Sequence, residues 1–267
     1  MAVRIALGLE YDGLAFCGWQ TQPSRCAIQD VLEDALGRVH GAPVKTVVAG
    51  RTDAGVHALG QVAHFDAVNV RPDSAWVRGV NALLPPGVAV LWARRVDDRF
   101  HARNKALGRS YRYVLLNHAV RPALLAGRVG WQPRRLDVER MAAAAASLVG
   151  VHDFSAFRAA ECQARSPVRE LRQASVLRSG DFVLFDFTAN AFLHHQVRNM
   201  VGALVWVGLK RRPPEWIAEL LASRDRTLGA ATAAAAGLYL SRVQYDPAWG
   251  LPETTGRALI PPLVPTP

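Results

Sequence analysis

In the stretch AGRTDAGVHALGQVAHF, residues 49–65, one carboxylate, Asp53, sits just beyond Arg51 and ahead of His57 and His64. Asp-Ala-Gly alone is turn chemistry, because an Asp side chain can hydrogen-bond its own backbone two residues on. The cationic and imidazole neighbours point further. A carboxylate beside a guanidinium is favoured in its charged form, which is the form that acts as nucleophile or base. A second candidate lies in FLHHQVRNMVGALVWVGLKRR, residues 192–212, where Arg198 adjoins an apolar stripe of Leu193, Val197, Val201, Leu204 and Gly208. Buried there, a guanidinium needs an anion such as Asp53; at the stripe's edge it is simply solvated. Tyr111 and Tyr113 in RSYRYVLL alternate onto one face of a strand. They either pack, or in their basic setting stack an unpaired base and exchange a proton.

Metal chemistry finds little support. His194 and His195 are adjacent, so on a helix their side chains diverge by about 100° and do not chelate one ion. His152-Asp153 lacks companion ligands. There is no G-x-G-x-x-G opening a helix, no phosphate-binding P-loop and no G-x-S-x-G elbow, so neither a metal nor a cofactor is expected.

These groups have to be positioned by the surrounding elements. Residues 3–13 read as a strand, and Ile28, Val31, Leu32, Ala35, Leu36 and Val39 repeat at helical spacing until Gly41 and Pro43. VKTVVAG and GQVAHFD read as a hairpin whose long connection, RTDAGVHAL, carries Asp53. A helix over 71–84 and a strand over 87–96 complete β-α-β-β-α-β. The order recurs with RSYRYVLL, a helix in LDVERMAAAAASLVG, a second hairpin, a helix over 192–210 and the strand GLYLSRV. The expected fold is α+β: two tandem split-βαβ units, 1–105 and 106–246, with a cleft between their sheets. PPEWIAELLAS adds a helix to the second unit, and the proline-rich tail, 247–267, reads as extended or disordered.

The formal net charge is +10. Such a surplus suits a polyanion, nucleic acid foremost. It is concentrated in 94–112, where Arg94, Arg95, Arg99, Arg103, Lys105, Arg109 and Arg112 run through Phe100, Tyr111 and Tyr113, a phosphate-tracking stripe with stacking platforms. No apolar run reaches the roughly 18 residues of a membrane span. Cys17, Cys26 and Cys162 are odd in number and lack C-x-x-C spacing, which argues against a disulfide framework or zinc site and for a reducing, cytoplasmic location.

Taken in order, YDGLAFCGWQTQP, IQDVLEDAL, AGRTDAGVHALGQVAHF, NALLPPGVAV, FHARNKALGRSYRY, HDFSAFRAAECQARSPVRE, FLHHQVRNMVGALVWVG and AAAAGLYL resemble the bacterial tRNA pseudouridine synthase A family from about residue 3 to 246. The resemblance implies the pseudouridine synthase fold. It also implies a cofactor-free homodimer that isomerises uridine at positions 38, 39 and 40 of the tRNA anticodon stem-loop. It makes Asp53 the catalytic aspartate, Tyr111 the ring against the target base, Arg198 the partner of Asp53 and Arg51 a holder of the flipped nucleotide. His57, Arg103 and Arg109 join the expected RNA contacts. The stretch TAAAAGLYL lacks the proline often found before AAGL in the family, and the tail lies outside the matched region. A noncatalytic RNA-binding module of split-βαβ units is the main competing reading, against which stands the missing RNP1-like aromatic motif. A metal-dependent nuclease would need several convergent carboxylates.

Overall fold

The structure, a computed structural model, describes residues 2–69 and 71–252. Along the chain run β1 (Val3–Tyr11), α1 (Ile28–His40), β2 (Val47–Val48), β3 (His57–Ala67), β4 (Val88–Val96), β5 (Gly108–Leu116) and β6 (Gly130–Trp131). They are followed by α2 (Val138–Ala146), β7 (Gly150–Asp153), β8 (Val168–Ser179), β9 (Phe182–Ala189), α3 (Gln196–Gly208), α4 (Trp216–Ser223) and β10 (Leu238–Gln244). The architecture is α+β. Two compact units divide it: the chain up to Leu107 together with the chain from Tyr239, and Gly108–Leu238. Among the described residues no helix is long and apolar enough to cross a membrane.

In the first unit β1 lies between β3 and β4, antiparallel to both, and β2 pairs with the far side of β3 through Val47 opposite His64. The hairpin expected around Asp53 is therefore present. α1 buries Ile28, Leu32, Ala35 and Leu36, the stripe its spacing requires. Ile28, Leu32 and Leu36 each contribute about 1.5–3 kcal/mol on leaving water, and Ala35 less. The Asp30 carboxylate accepts the Ala27 N–H at 3.1 Å to start the helix, and Gly41 ends it with φ 87°. β10, which the repeat order attaches to the second half, pairs in parallel with β3, Tyr239 opposite His57.

In the second unit β9 joins β5 to β8, and β7 pairs with the other edge of β8. The buried side chains of α3, Val197, Met200, Val201, Leu204 and Val207, form its core with Phe185 and Phe187 of β9.

Several expectations are corrected. Over 71–84 the helical part contains a π turn, Ala75–Gly79, around Trp76, which is buried edge-on to Phe65 at 5.1 Å. The tail begins with a 3-10 turn, Pro247–Trp249, and Trp249 packs edge-on to Phe100 at 5.4 Å; residues 253–267 lie outside the described residues. Cys17 and Cys26 form a disulfide, with Cys162 buried. An odd count leaves room for one pair, and a chain reversal closed by Cys17 N–H to Cys26 O at 3.0 Å supplies the proximity that spacing did not show.

His64, buried in β3, accepts the Ala102 N–H on Nδ1 at 3.2 Å, which requires a neutral ring. Burial foremost, then the charges of Arg4 and His101, lower its pKa from 6.5 to about 4, against the opposing pull of Asp66. A folded-state pKa below the unfolded one gives stability that is complete above the unfolded value and lost on acidification. Between pH 6.5 and 4 the melting temperature is expected to fall, and His64→Gln to flatten that fall. Thermal scans of both proteins check it; superimposable slopes would refute the role of His64.

Candidate active site

The loop bearing Asp53 is fixed from beneath by a chain of buried polar groups. The register of β1 against β3 shifts between Leu9 and Tyr11. Such a bulge re-aims the side chains beside it, and the Tyr11 hydroxyl meets Thr52 Oγ1 at 2.8 Å. Gln61 of β3, 0% exposed, donates through Nε2 to Tyr11 OH at 3.1 Å and to Gly50 O at 2.7 Å. Its carbonyl oxygen accepts the Val62 N–H at 3.2 Å. Buried polar groups are tolerated only when paired, so these residues require one another.

The loop backbone is held on both sides of the carboxylate. Trp19 N–H donates to Thr52 O at 2.9 Å, and Val56 N–H to Asp53 O at 3.1 Å. Gly18, at φ +95°, lies where a Cβ would stand 2.7 Å from Thr52 O, so only glycine lets that segment close on the loop. At Gly13 a Cβ would stand 2.1 Å from Val56 O. Asp53 itself is half-buried and Arg51 exposed.

His57 is corrected as an RNA contact. At 2% exposure its Nδ1 accepts the Gly13 N–H at 3.1 Å, with an Asp12 carboxylate oxygen at the same distance, and its ring stacks on Tyr239 at 4.6 Å. It braces the end of the loop instead.

On β5 of the second unit Tyr111 is half-buried, edge-on to Phe192 at 5.1 Å. Tyr113 is buried, and burial pushes its phenol well above the ordinary value, so it remains protonated core. Of the two tyrosines, Tyr111 alone keeps exposed surface. On α3 Arg198 is half-buried; its Nε donates to Ala233 O at 2.8 Å and its own carbonyl accepts the Ala233 N–H at 3.1 Å. This exchange sets the direction in which the guanidinium leaves the helix.

α3 begins at Gln196, four residues later than expected, because His195 adopts φ 60° and Gln196 Oε1 accepts the Leu193 N–H at 2.8 Å. His194 and His195 thus precede the helix. Their rings lie 4.0 Å apart, so the expected divergence of about 100° is wrong.

The basic stripe is less uniform than its composition suggests. Phe100 is fully buried against Tyr245 and offers no stacking surface. Arg99 forks onto Asp97 at 2.8 and 2.9 Å, and Arg112 onto Asp186 at 2.7 and 2.9 Å. Arg109 is half-buried and donates to Asn190 O at 3.0 Å. Arg94, Arg95, Arg103 and Lys105 are exposed.

Sequence reasoning missed Tyr11, Thr52 and Gln61. A glutamine inside the apolar run GQVAHF was the available signal, since a buried amide in a strand must serve a partner. Thr52→Val keeps the shape but removes the Thr52 partner of the buried Tyr11 hydroxyl, and is expected to lower stability by about 1–3 kcal/mol, with Thr52→Ser near the parent. Urea denaturation of the three proteins measures this; equal midpoints would remove the network's role.

The family described as tRNA pseudouridine synthase matches residues 9–104 and 144–246. The tRNA pseudouridine synthase A of Thiobacillus denitrificans is 60% identical over 255 residues, covering 96% of this chain and 98% of that protein. That of Methylobacillus flagellatus is 59% identical over 252 residues, covering 94% and 97%. That of Aromatoleum aromaticum is 57% identical over 263 residues, covering 98% and 99%. With matches of this extent the chain belongs to the tRNA pseudouridine synthase family.

Proposed function

We propose that the protein isomerises uridine to pseudouridine in tRNA, at positions 38, 39 and 40 of the anticodon stem-loop, with Asp53 as the reacting carboxylate. Identity across nearly the whole length of relatives named tRNA pseudouridine synthase A carries this reading. The braced loop, with Thr52 buried and Asp53 half-buried, supports it from within the chain.

The reaction breaks the bond from N1 to C1′, turns the uracil while it stays bound, and joins C5 to C1′. The C5 proton leaves and N1 gains one, so no redox equivalent or activated group is consumed. Asp53 attacks C1′ as positive character develops there, as glycosidase carboxylates meet oxocarbenium-like transition states. Attack at uracil C6 is the other route open to the same carboxylate. A glycosidase admits water; this site has to keep water out, or the nucleotide would be hydrolysed. A rigid, half-buried carboxylate serves that need.

The target base leaves its stack at a cost of a few kcal/mol, offset by stacking on Tyr111 and cationic capture by Arg51. Tyr111 is also the relay for the C5 proton. Exposed Arg103 and half-buried Arg109 belong to the phosphate grip, while Arg198 is the partner of Asp53 by family resemblance. The same resemblance supports a homodimer, and action on tRNA supports a cytoplasmic location.

Asp53→Asn is expected to bind tRNA as the parent does while turnover falls well beyond the roughly 10²- to 10³-fold loss of a single electrostatic contact. Release of tritium from C5-labelled uridine in tRNA transcripts reads it, with a filter-binding measurement alongside. Near-normal release by Asp53→Asn would end the proposal. Binding without release by the parent itself would favour the noncatalytic RNA-binding alternative.

A further inference from the structure

Trp131 of β6 is 43% exposed, yet it is firmly held. Its indole N–H donates to His118 O at 2.8 Å, its backbone stands opposite Leu116 of β5, and Gln132 N–H donates to Leu116 O at 2.9 Å. Asn117, 8% exposed, spends its side chain on the same corner. Its amide nitrogen donates to Gln132 O at 2.9 Å and Arg134 O at 2.8 Å. Its oxygen accepts the Leu136 N–H at 2.9 Å and a guanidinium nitrogen of Arg178 at 2.9 Å. Two donors and two acceptor sites are all that an amide has, so the segment carrying Trp131, Arg134 and Arg135 is pinned by a saturated buried group.

The corner is also one-sided in charge. From His118 to Leu136 the chain contains Arg121, Arg128, Arg134 and Arg135 and no carboxylate, and all four arginines are exposed. Nearby Asp137 is engaged: it accepts the Arg140 N–H at 3.2 Å to cap α2 and lies 3.6 Å from Lys210 Nζ. Arg178 has its pKa lowered by burial and then by the charge of Arg135, with Asp181 opposing, as befits a cation cluster short of counter-charge.

We infer that this corner is a second RNA contact, where Trp131 stacks an unpaired base and Arg134 and Arg135 hold the adjoining phosphates. It rests on the proposed function only in taking RNA as the substrate. A flat exposed ring in an arginine-rich segment is the pattern by which unpaired nucleotides are held. Because the platform is rigid before binding, little ordering entropy is lost when a base lands on it. Trp131 shares the sheet face of its partner Leu116, opposite to the face that carries Tyr111 and Tyr113, so it serves a part of the RNA distinct from the base at Tyr111.

The test uses the full chain and three labelled probes: a tRNA transcript, a single-stranded oligouridylate and a polyglutamate peptide. Trp131→Ala is expected to raise Kd for both RNAs about tenfold or more, with Trp131→Phe recovering most of the loss. Arg134→Ala and Arg135→Ala should each reduce the slope of log affinity against log salt for the oligouridylate by about 0.7, while Trp131→Ala leaves the slope as it was. Circular dichroism and urea midpoints confirm that each variant is folded. RNA affinities of Trp131→Ala within twofold of the parent overturn the inference, as does tighter binding of polyglutamate than of oligouridylate. Because binding is read without turnover, an active Asp53→Asn would remove the catalytic reading and leave this one standing.

Discussion

The hydroxyl of Tyr11 sits where a strand, a loop and a buried amide meet, and the placement of Asp53 follows from satisfying it. Thr52 lies on one side of it and Gln61 on the other, and Gln61 reaches on to the carbonyl of Gly50. In a low-dielectric interior each of these bonds is strong, and each group left unpaired would cost about 1–3 kcal/mol. The loop therefore has few alternatives. The shift in β1 before Tyr11, the close approach of Gly18 and the burial of His57 are all conditions for that one arrangement.

What the sequence disclosed was governed by period. α1 was legible because Ile28, Leu32, Ala35 and Leu36 repeat with the helical turn, and the hairpin around Asp53 because β-rich runs flank a turn-rich connection. Features set by a single residue against a distant partner were not. The start of α3 depends on a left-handed His195 and on the Gln196 side chain, neither of which disturbs the apolar stripe that suggested a helix from 192. The π turn over Ala75–Gly79 leaves no mark in the apolar period, the disulfide depends on a reversal between Cys17 and Cys26, and the neighbour of β10 on a register between Tyr239 and His57. Phe100 misled for a related reason: composition put an aromatic ring in a basic run, while packing put it in the core with Tyr245 and Trp249.

Net charge shows the same limit. The surplus of ten cations suggests a polyanion, but several arginines are structural. Arg4 forks onto Asp66, Arg99 onto Asp97 and Arg112 onto Asp186. A guanidinium held bidentately by a carboxylate offers a phosphate little, because binding the phosphate means giving up an equally good partner. Arg134 and Arg135 differ in standing in a segment without acids, on a backbone that Asn117 holds still. Local compensation, not the overall count, separates arginines that bind from arginines that brace.

The same separation applies to the chemistry. The bonds that locate the Asp53 loop run to the carbonyls of Gly50, Thr52 and Asp53 and to the Thr52 hydroxyl, through groups that do not titrate near neutral pH. The course of the loop backbone is thus set by backbone and neutral side chains. Tyr113 illustrates the alternative: burial fixes its place and, in doing so, holds its proton on. For Asp53 to act as the proposed reacting carboxylate, its loop has to be placed by its neighbours' hydrogen bonds instead of by burial of the carboxylate itself. That is the arrangement the Tyr11, Thr52 and Gln61 chain creates beneath Asp53.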